Sequence, residues 1–465
     1  MLHRSDFRPN AEKMIDWIDQ FYKNLESFPV KSQVKPKDIL NQLPESMPHR
    51  SETIDAIMAD LDTIILPGIT HWQHPNYHAY FPANTSVESV IAEFATAAIG
   101  AQCMIWDTSP AAAELEERMM EWLRQAMGMP DNFEGVIQDT ASTATLAAIL
   151  TAREVCTDFR SNIDGVPNNL RVYCSTETHS SIEKAVAISG IGTKNLIKIP
   201  VDEQLRLDPG QLEAQIKADQ AIGLNPCCVI VALGTTGTVA VDDIEAIGKI
   251  CEQHQVWLHI DAAYAGTALL LPEYQYMIRG MERSDSFVFN PHKWMFTNFD
   301  CTAYFVKDVD ALIKTFEVLP EYLKTNTRGQ VNDYRDWGIP LGRRFRALKL
   351  WFLMRSYGLE GLQAKLRHHI ELNTYFAEQI RAMDSFELLI EPILNFTCFR
   401  KISDPNLSEE HLCQENAELL DRINSSGKAF LSHTKVHGKY AIRIVIGQTY
   451  VEKRHVDLVL GLLKG

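Results

Sequence analysis

No stretch of this chain approaches the roughly 20 consecutive apolar residues that a bilayer-spanning helix requires, so a membrane-embedded protein is not expected. The opening residues, Met1-Leu2-His3-Arg4-Ser5-Asp6, have no apolar core of a secretory signal behind them. Cysteine is sparse and unpatterned, nine in 465 residues, with the vicinal pair Cys227-Cys228 inside a predicted buried strand. An odd count without a framework predicts reduced thiols and a cytoplasmic location. No Cys or His spacing resembles a zinc site, and no metal is expected; His368-His369 falls on a polar helical stretch and reads as solvated. Positive charge is in deficit, with 45 Lys and Arg against 60 Asp and Glu and a net charge of −15. Neither nucleic acid nor an anionic membrane is an expected partner, because both select a basic face. Internal repeats and low-complexity segments are also missing.

What remains is a globular composition, 46% hydrophobic and 23% charged, in a chain long enough for two or three domains. Met14, Ile18, Phe21, Tyr22 and Leu25 recur at helical spacing near the N-terminus, before an extended Pro- and Lys-rich connection over residues 28–48. Such a helix can pack on a second subunit or on its own domain. Val90, Ile91, Phe94 and Ala98 mark a helix from Ser86, and Ser109-Pro110 opens a longer one with Leu115, Met119, Trp122, Leu123 and Met127 as its stripe. Short β-branched runs at 171–174, 196–199, 228–233, 256–260, 286–289 and 302–306 then alternate with helical or loop segments. That alternation predicts an α/β fold with a mostly parallel central sheet, covered on both faces, whose ligands gather at the carboxyl ends of the strands. Beyond Gly342 the chain turns helical to about residue 382, then β-rich at 387–393, 396–402 and 440–446. The expected organisation is an N-terminal helical segment (1–80), a large domain (81–350) and a small C-terminal α+β domain (351–465).

The chemistry concentrates at two strand ends. Val256-Trp257-Leu258-His259-Ile260 runs into Asp261-Ala262-Ala263-Tyr264-Ala265-Gly266, and Asn290-Pro291-His292-Lys293-Trp294 follows the next strand. An Asp at a strand end is usually a cap, and a lone Lys is usually a surface charge. Together and in this order they are the minimum equipment for pyridoxal phosphate. The lysine bonds covalently to the cofactor aldehyde, and the carboxylate pairs with the pyridinium nitrogen. Gln138-Asp139-Thr140-Ala141-Ser142-Thr143 leads into a helix predicted over 145–153. Taken alone it is an ordinary N-cap, but its amides suit a phosphate once such a cofactor is implied. Thr178-His179-Ser180-Ser181 and Gly234-Thr235-Thr236-Gly237-Thr238 each follow a strand and are weak signals singly.

With these motifs in fixed order, the chain resembles the group II pyridoxal phosphate decarboxylases, close to the aromatic-L-amino-acid decarboxylases, from about Trp17 to Tyr357. Further matching stretches are His71-Trp72, His78-Ala79-Tyr80-Phe81-Pro82, Asn298-Phe299-Asp300-Cys301, Tyr322-Leu323-Lys324 and Ile339-Pro340-Leu341-Gly342-Arg343-Arg344-Phe345. The resemblance implies the fold type I (aspartate-aminotransferase-like) architecture and a homodimer with shared active sites. It also implies roles. Lys293 is the cofactor lysine and Asp261 the pyridinium partner. His179 stacks on the ring and orients the substrate carboxylate. Ala141, Ser142, Asn290 and His292 hold the phosphate, and Thr236 lies near the ring. Tyr322, in a loop over residues 320–333 that closes over a site, returns a proton after CO₂ leaves.

For the substrate, Trp72, Tyr80, Phe81 and Pro82, with Gln102 and Met104 from the neighbouring subunit, are the expected pocket residues. Apolar and aromatic walls favour an aromatic amino acid over glutamate, which needs a cation. Ala83 stands where catechol-binding members often carry Thr, so tryptophan, tyrosine, phenylalanine and dihydroxyphenylalanine all stay open. Three rivals stand beside decarboxylation of an aromatic substrate. An aldehyde synthase would also oxidatively deaminate, although that branch commonly alters the positions of His179 or Tyr322, both kept here. The others are a decarboxylase of an acidic or imidazole amino acid, and a catalytically silent scaffold.

Overall fold

Among the described residues eleven strands form two sheets, and the difference between them follows from how many faces of each strand are buried. The computed structural model describes residues 4–318 and 329–464. The strands are β1 (Glu134–Gln138), β2 (Leu170–Ser175), β3 (Leu196–Ile199), β4 (Asn225–Ala232), β5 (Trp257–Asp261), β6 (Ser286–Phe289), β7 (Thr302–Val306), β8 (Phe386–Leu388), β9 (Phe396–Lys401), β10 (Ser432–Val436) and β11 (Lys439–Val445). The chain divides into two compact units, Ala83–Ile370 and, together, Met1–Pro82 with Glu371–Gly465.

The larger unit holds a seven-stranded sheet in the order β1-β7-β6-β5-β4-β2-β3. β3, β2, β4, β5 and β6 pair in parallel, and β7 runs antiparallel to both β6 and β1. The central strands are apolar on both faces, as strands covered on both sides must be: β6 and β7 are buried throughout, and β4 from Pro226 to Ala232. One face is covered by the helix Ala141–Cys156, which packs across β4, β5, β6 and β7 and is built from small residues such as Ala144, Ala147 and Ala148. It begins four residues before the helix expected at 145, because the Thr140 hydroxyl accepts the Thr143 amide and caps it.

In the smaller unit, β10-β11-β9-β8 form an antiparallel sheet backed by the helices Glu409–Ser425 and Lys453–Lys464. The N-terminal segment belongs to this unit. Val30 N–H donates to Gly427 O (2.8 Å), Phe430 N–H to Asn76 O (3.2 Å), and Arg454 makes a bidentate pair with Glu26 (2.6 and 2.7 Å). The helix Phe7–Asn24 buries none of its own residues in this protomer, and Leu25 just beyond it is buried.

The division at 370/371 replaces the boundary expected at 350/351 and lies inside the helix Ala347–Arg381, which is interrupted at Gly358. Its residues before 371 bond within the large unit: Gln363 to Leu270 O (2.7 Å), Arg367 to Glu273 (2.7 and 3.0 Å) and His369 to Trp294 (3.0 Å). The last contact corrects the reading of His368-His369. His368 is exposed, but His369 is fully buried, its Nδ1 accepting the indole N–H of Trp294.

Glu116 and Arg343 form a buried pair (2.6 Å) that ties the helix Pro110–Ala126 to the carboxyl end of β1. The same Glu116 oxygen accepts Ile137 N–H (2.8 Å), and Arg343 donates to Ile137 O (2.8 Å). Removing one member of such a pair strands the other charge, so Glu116→Ala is expected to cost about 3–5 kcal/mol. A large drop in the denaturant midpoint of the variant checks this.

Candidate active site

Parallel pairing of β2, β4, β5 and β6, and the antiparallel β7 that aligns β1 with them, bring the loops after β1, β2, β4, β5 and β6 to one edge of the large sheet, and each carries residues singled out by sequence. Asp261 is the last residue of β5, and Lys293 lies four residues beyond β6, the neighbouring strand. Thr236 follows β4, which pairs with β5 on its other side, and Leu233 N–H donates to Asp261 O (2.9 Å). His179 follows β2, and Ala141 and Ser142 open the helix after β1.

Close backbone approaches keep this edge tight. A Cβ on Gly266 would lie 2.5 Å from Cβ of Phe289, so the turn after β5 can sit against β6 only with glycine there. Gly234, at φ +93°, would place a Cβ 2.7 Å from that of Ala265, holding the Thr235–Thr238 turn against the same segment.

Lys293 is half-buried on a rigid base. Asn84 donates its side-chain amide to Lys293 O (2.8 Å) and its backbone N–H to His292 O (3.0 Å). The next residue, Trp294, is fully buried and stacked on Tyr264 (5.5 Å, 14° between rings). Asp261 is also half-buried, and its Oδ1 accepts Ala263 N–H (3.0 Å). His179 lies within electrostatic reach of both. Crowding by neighbouring atoms pushes its pKa below the usual imidazole value; the Asp261 charge opposes that shift, and the Lys293 charge adds to it. Its Nδ1 accepts Ser181 N–H (3.1 Å), so the neutral ring carries its proton on Nε2, a donor suited to a carboxylate.

The groups beside the helix N-terminus present donors. Thr302 Oγ1 lies 2.6 Å from Asn290 Oδ1 and 3.1 Å from Asp139 O, joining the loop after β6 to the residue before Thr140. With Oδ1 so engaged, Asn290 keeps its amide N–H groups. His292 is buried, and its Nδ1 accepts Cys301 N–H (3.0 Å), which leaves Nε2–H as its donor. Burial, reinforced by the nearby Lys293 charge, pushes the His292 imidazole down to about 3. The first amides of the helix have no intrahelical acceptor. Backbone N–H groups, an amide and a neutral imidazole N–H form a donor set that could hold a phosphate dianion. Asp261, Lys293 and His179 match the other ends of pyridoxal phosphate.

The expected substrate residues fall in both units. In the smaller, Trp72 packs tilted against Tyr77 (4.5 Å) and stacks on Tyr80 (6.1 Å); Pro82 is buried, and Arg443 lies 5.1 Å from the Phe81 ring. In the larger, Gln102 Oε1 accepts Arg343 N–H (2.8 Å), and Met104 O accepts Arg335 N–H (2.9 Å), so both support local backbone. Tyr322 lies outside the described residues. Sequence reasoning missed Asn84 and Thr302, whose bonding partners are far along the chain. It also passed over His259, although that residue stands in the quoted Asp261 motif.

A mostly parallel sheet with this edge defines a pyridoxal phosphate enzyme of fold type I. The chain belongs to the pyridoxal-dependent decarboxylase family, whose conserved domain matches residues 36–402. It is 42% identical to tyrosine decarboxylase 2 of Narcissus pseudonarcissus over 97% of this chain and 91% of that protein. It is equally 42% identical to a phenylacetaldehyde synthase of Arabidopsis thaliana, over 97% of this chain and 93% of that one. The structure of Oryza sativa TDC with PLP and tryptamine superposes with a TM-score of 0.97 at 35% identity, covering 100% of this chain and 98% of that one. The likeness therefore extends through the last hundred residues, beyond the stretch carried by motifs.

Acid should destabilise the protein through its buried neutral histidines. Burial pushes both His292 and His259 down to about 3 in the folded protein, against about 6.5 for an ordinary imidazole. Between those values the unfolded chain binds protons that the folded chain refuses, so stability falls as pH falls, by up to about 1.4 kcal/mol per pH unit for each ring. Urea midpoints at about pH 7 and about pH 5 should show this drop, and a smaller one in His292→Gln.

Proposed function

We propose that this protein removes the α-carboxylate of an aromatic L-amino acid as CO₂ and releases the corresponding amine. The observation that carries this reading is the convergence of Lys293, Asp261 and His179 at one sheet edge, in a chain whose near-full-length relatives include tyrosine and tryptophan decarboxylases. Bound at this edge, pyridoxal phosphate supplies an electron sink for the bond that breaks at the substrate's Cα.

The protein's own groups do the rest. Lys293 would hold the cofactor covalently through its amine, and the Asp261 carboxylate would keep a proton on the ring nitrogen. The amides of Ala141 and Ser142, with Asn290 and His292, would anchor the phosphate, with Thr236 as a further contact for the ring. His179 would support the ring and offer its Nε2–H to the substrate carboxylate, orienting the bond to be broken. Tyr322 is assigned the return of a proton to Cα, with water excluded meanwhile. Partly exposed aromatic rings at Trp72 and Tyr80 are surface of the kind that holds an aromatic side chain.

Aldehyde synthesis is the second reading, because phenylacetaldehyde synthases stand among the relatives at the same identity. Retention of both His179 and Tyr322 favours the decarboxylase. A homodimer fits the protomer surface, where Phe7 is 72% and Met47 87% exposed and Ile91, Phe94 and Ile99 line an open helix face. Nine free thiols suit the reducing cytoplasm.

The cofactor-loaded protein, given equimolar tryptophan, tyrosine, phenylalanine, dihydroxyphenylalanine, histidine and glutamate, is expected to form an aromatic amine, read by mass spectrometry with Lys293→Ala as the blank. Aldehyde with peroxide would select the synthase, and tyramine-like products absent despite bound cofactor would sink the substrate class. Gel filtration should return a dimer.

A further inference from the structure

A fully buried histidine of the large unit is not assigned to any chemical step. His259 has no solvent exposure and lies on β5 two residues before Asp261, so the two side chains leave the same face of the strand. Its ring nitrogens bond to two other elements. Nδ1 lies 2.9 Å from Ser286 Oγ at the start of β6, and Nε2 lies 3.2 Å from Thr145 Oγ1. Thr145 sits one turn along the helix that Ala141 opens, and Ser286 starts the strand that leads to Asn290, His292 and Lys293. Ser286 Oγ also accepts the indole N–H of Trp257 (3.1 Å). The imidazole is therefore a polar bridge among three elements, with the Tyr304 ring 6.3 Å away.

Packing alone does not call for histidine here. An apolar side chain would fill the space without the desolvation cost of two ring nitrogens, which is offset only because both are bonded. The bridge instead fixes a distance. The helix start and Asp261 are the two ends of the cofactor cradle, one for the phosphate and one for the ring nitrogen, and His259 is bonded into the first and covalently continuous with the second. Burial pushes the ring down to about 3, so it stays neutral and keeps one donor and one acceptor nitrogen at working pH.

We infer that His259 is a positioning residue for the cofactor, holding the phosphate-binding helix in register with Asp261 through the Thr145–His259–Ser286 bridge. The inference rests on the assignment of Asp261, Lys293 and the helix start to pyridoxal phosphate. Two variants cut the bridge differently. His259→Asn keeps a polar group near Ser286 but is too short to reach Thr145, and Thr145→Val deletes the hydroxyl at nearly constant volume.

Apoprotein of each form is titrated with pyridoxal phosphate, following the absorption and visible circular dichroism of the bound cofactor, with melting of the apoprotein measured alongside. The expected result is cofactor affinity about tenfold weaker in each single variant, an altered visible dichroism, and a double variant no weaker than the worse single one. Wild-type affinity and dichroism in both variants, even with a lowered apoprotein melting temperature, would reduce His259 to a packing residue and overturn the inference. Effects that simply add would do the same. Should His259→Asn fail to fold, Thr145→Val decides alone. Failure of the unaltered protein to bind the cofactor would overturn the site assignment itself, and the inference with it.

Discussion

Parallel pairing of β4, β5 and β6 governs the large unit, because it sends every functional loop to the same sheet edge. Side chains alternate along a strand, so a slip of one residue in β5 would turn Asp261 to the opposite face of the sheet. The register is held by burial on both faces and by glycines where the edge is crowded. Gly234 and Gly266 let the turns after β4 and β5 meet at distances no side chain would tolerate. Catalytic geometry here is thus a consequence of core packing.

The electrostatics of the edge follow from that packing too. The groups beside the helix start are not lysines and arginines but backbone amides, Asn290 and a buried neutral His292. Neutral donors fixed by a rigid frame need no reorganisation when the anion arrives. Acceptors that would repel a phosphate are already committed: Asn290 Oδ1 to Thr302, and His292 Nδ1 to the Cys301 amide. In the proposed function, the charges of Asp261 and Lys293 serve the two cofactor positions where a proton and a covalent bond must be managed.

Relatives of equal identity that make an amine in one case and an aldehyde in another show that this frame does not choose the outcome. The fold supplies the cofactor site, and the fate of the substrate is left to the few groups that deliver protons or admit oxygen. Substrate choice is equally local. In the smaller unit the Trp72 ring packs against Tyr77 and Tyr80, while Gln102 and Met104 brace backbone in the larger.

Much of the molecule could be read from the sequence alone. Short β-branched runs placed β3, β6 and β7 to the residue, and β6 and β7 were plain because strands buried on both faces leave an apolar run. Asp261 and Lys293 stood out because the chemistry requires both, at adjacent strand ends. What the sequence could not supply were relationships between distant residues. The helix over β1 begins at Ala141 because of a cap, not where apolar periodicity starts. His369 looked solvated on a polar helix and is buried because Trp294, 75 residues away in sequence, donates to it. Asn84 beneath Lys293, Thr302 between two loops and His259 between helix and sheet acquire meaning only from partners that folding brings near. Periodicity and residue chemistry are local properties and survive in one dimension; hydrogen bonds across the fold do not, so the supports of the site were decided by tertiary structure.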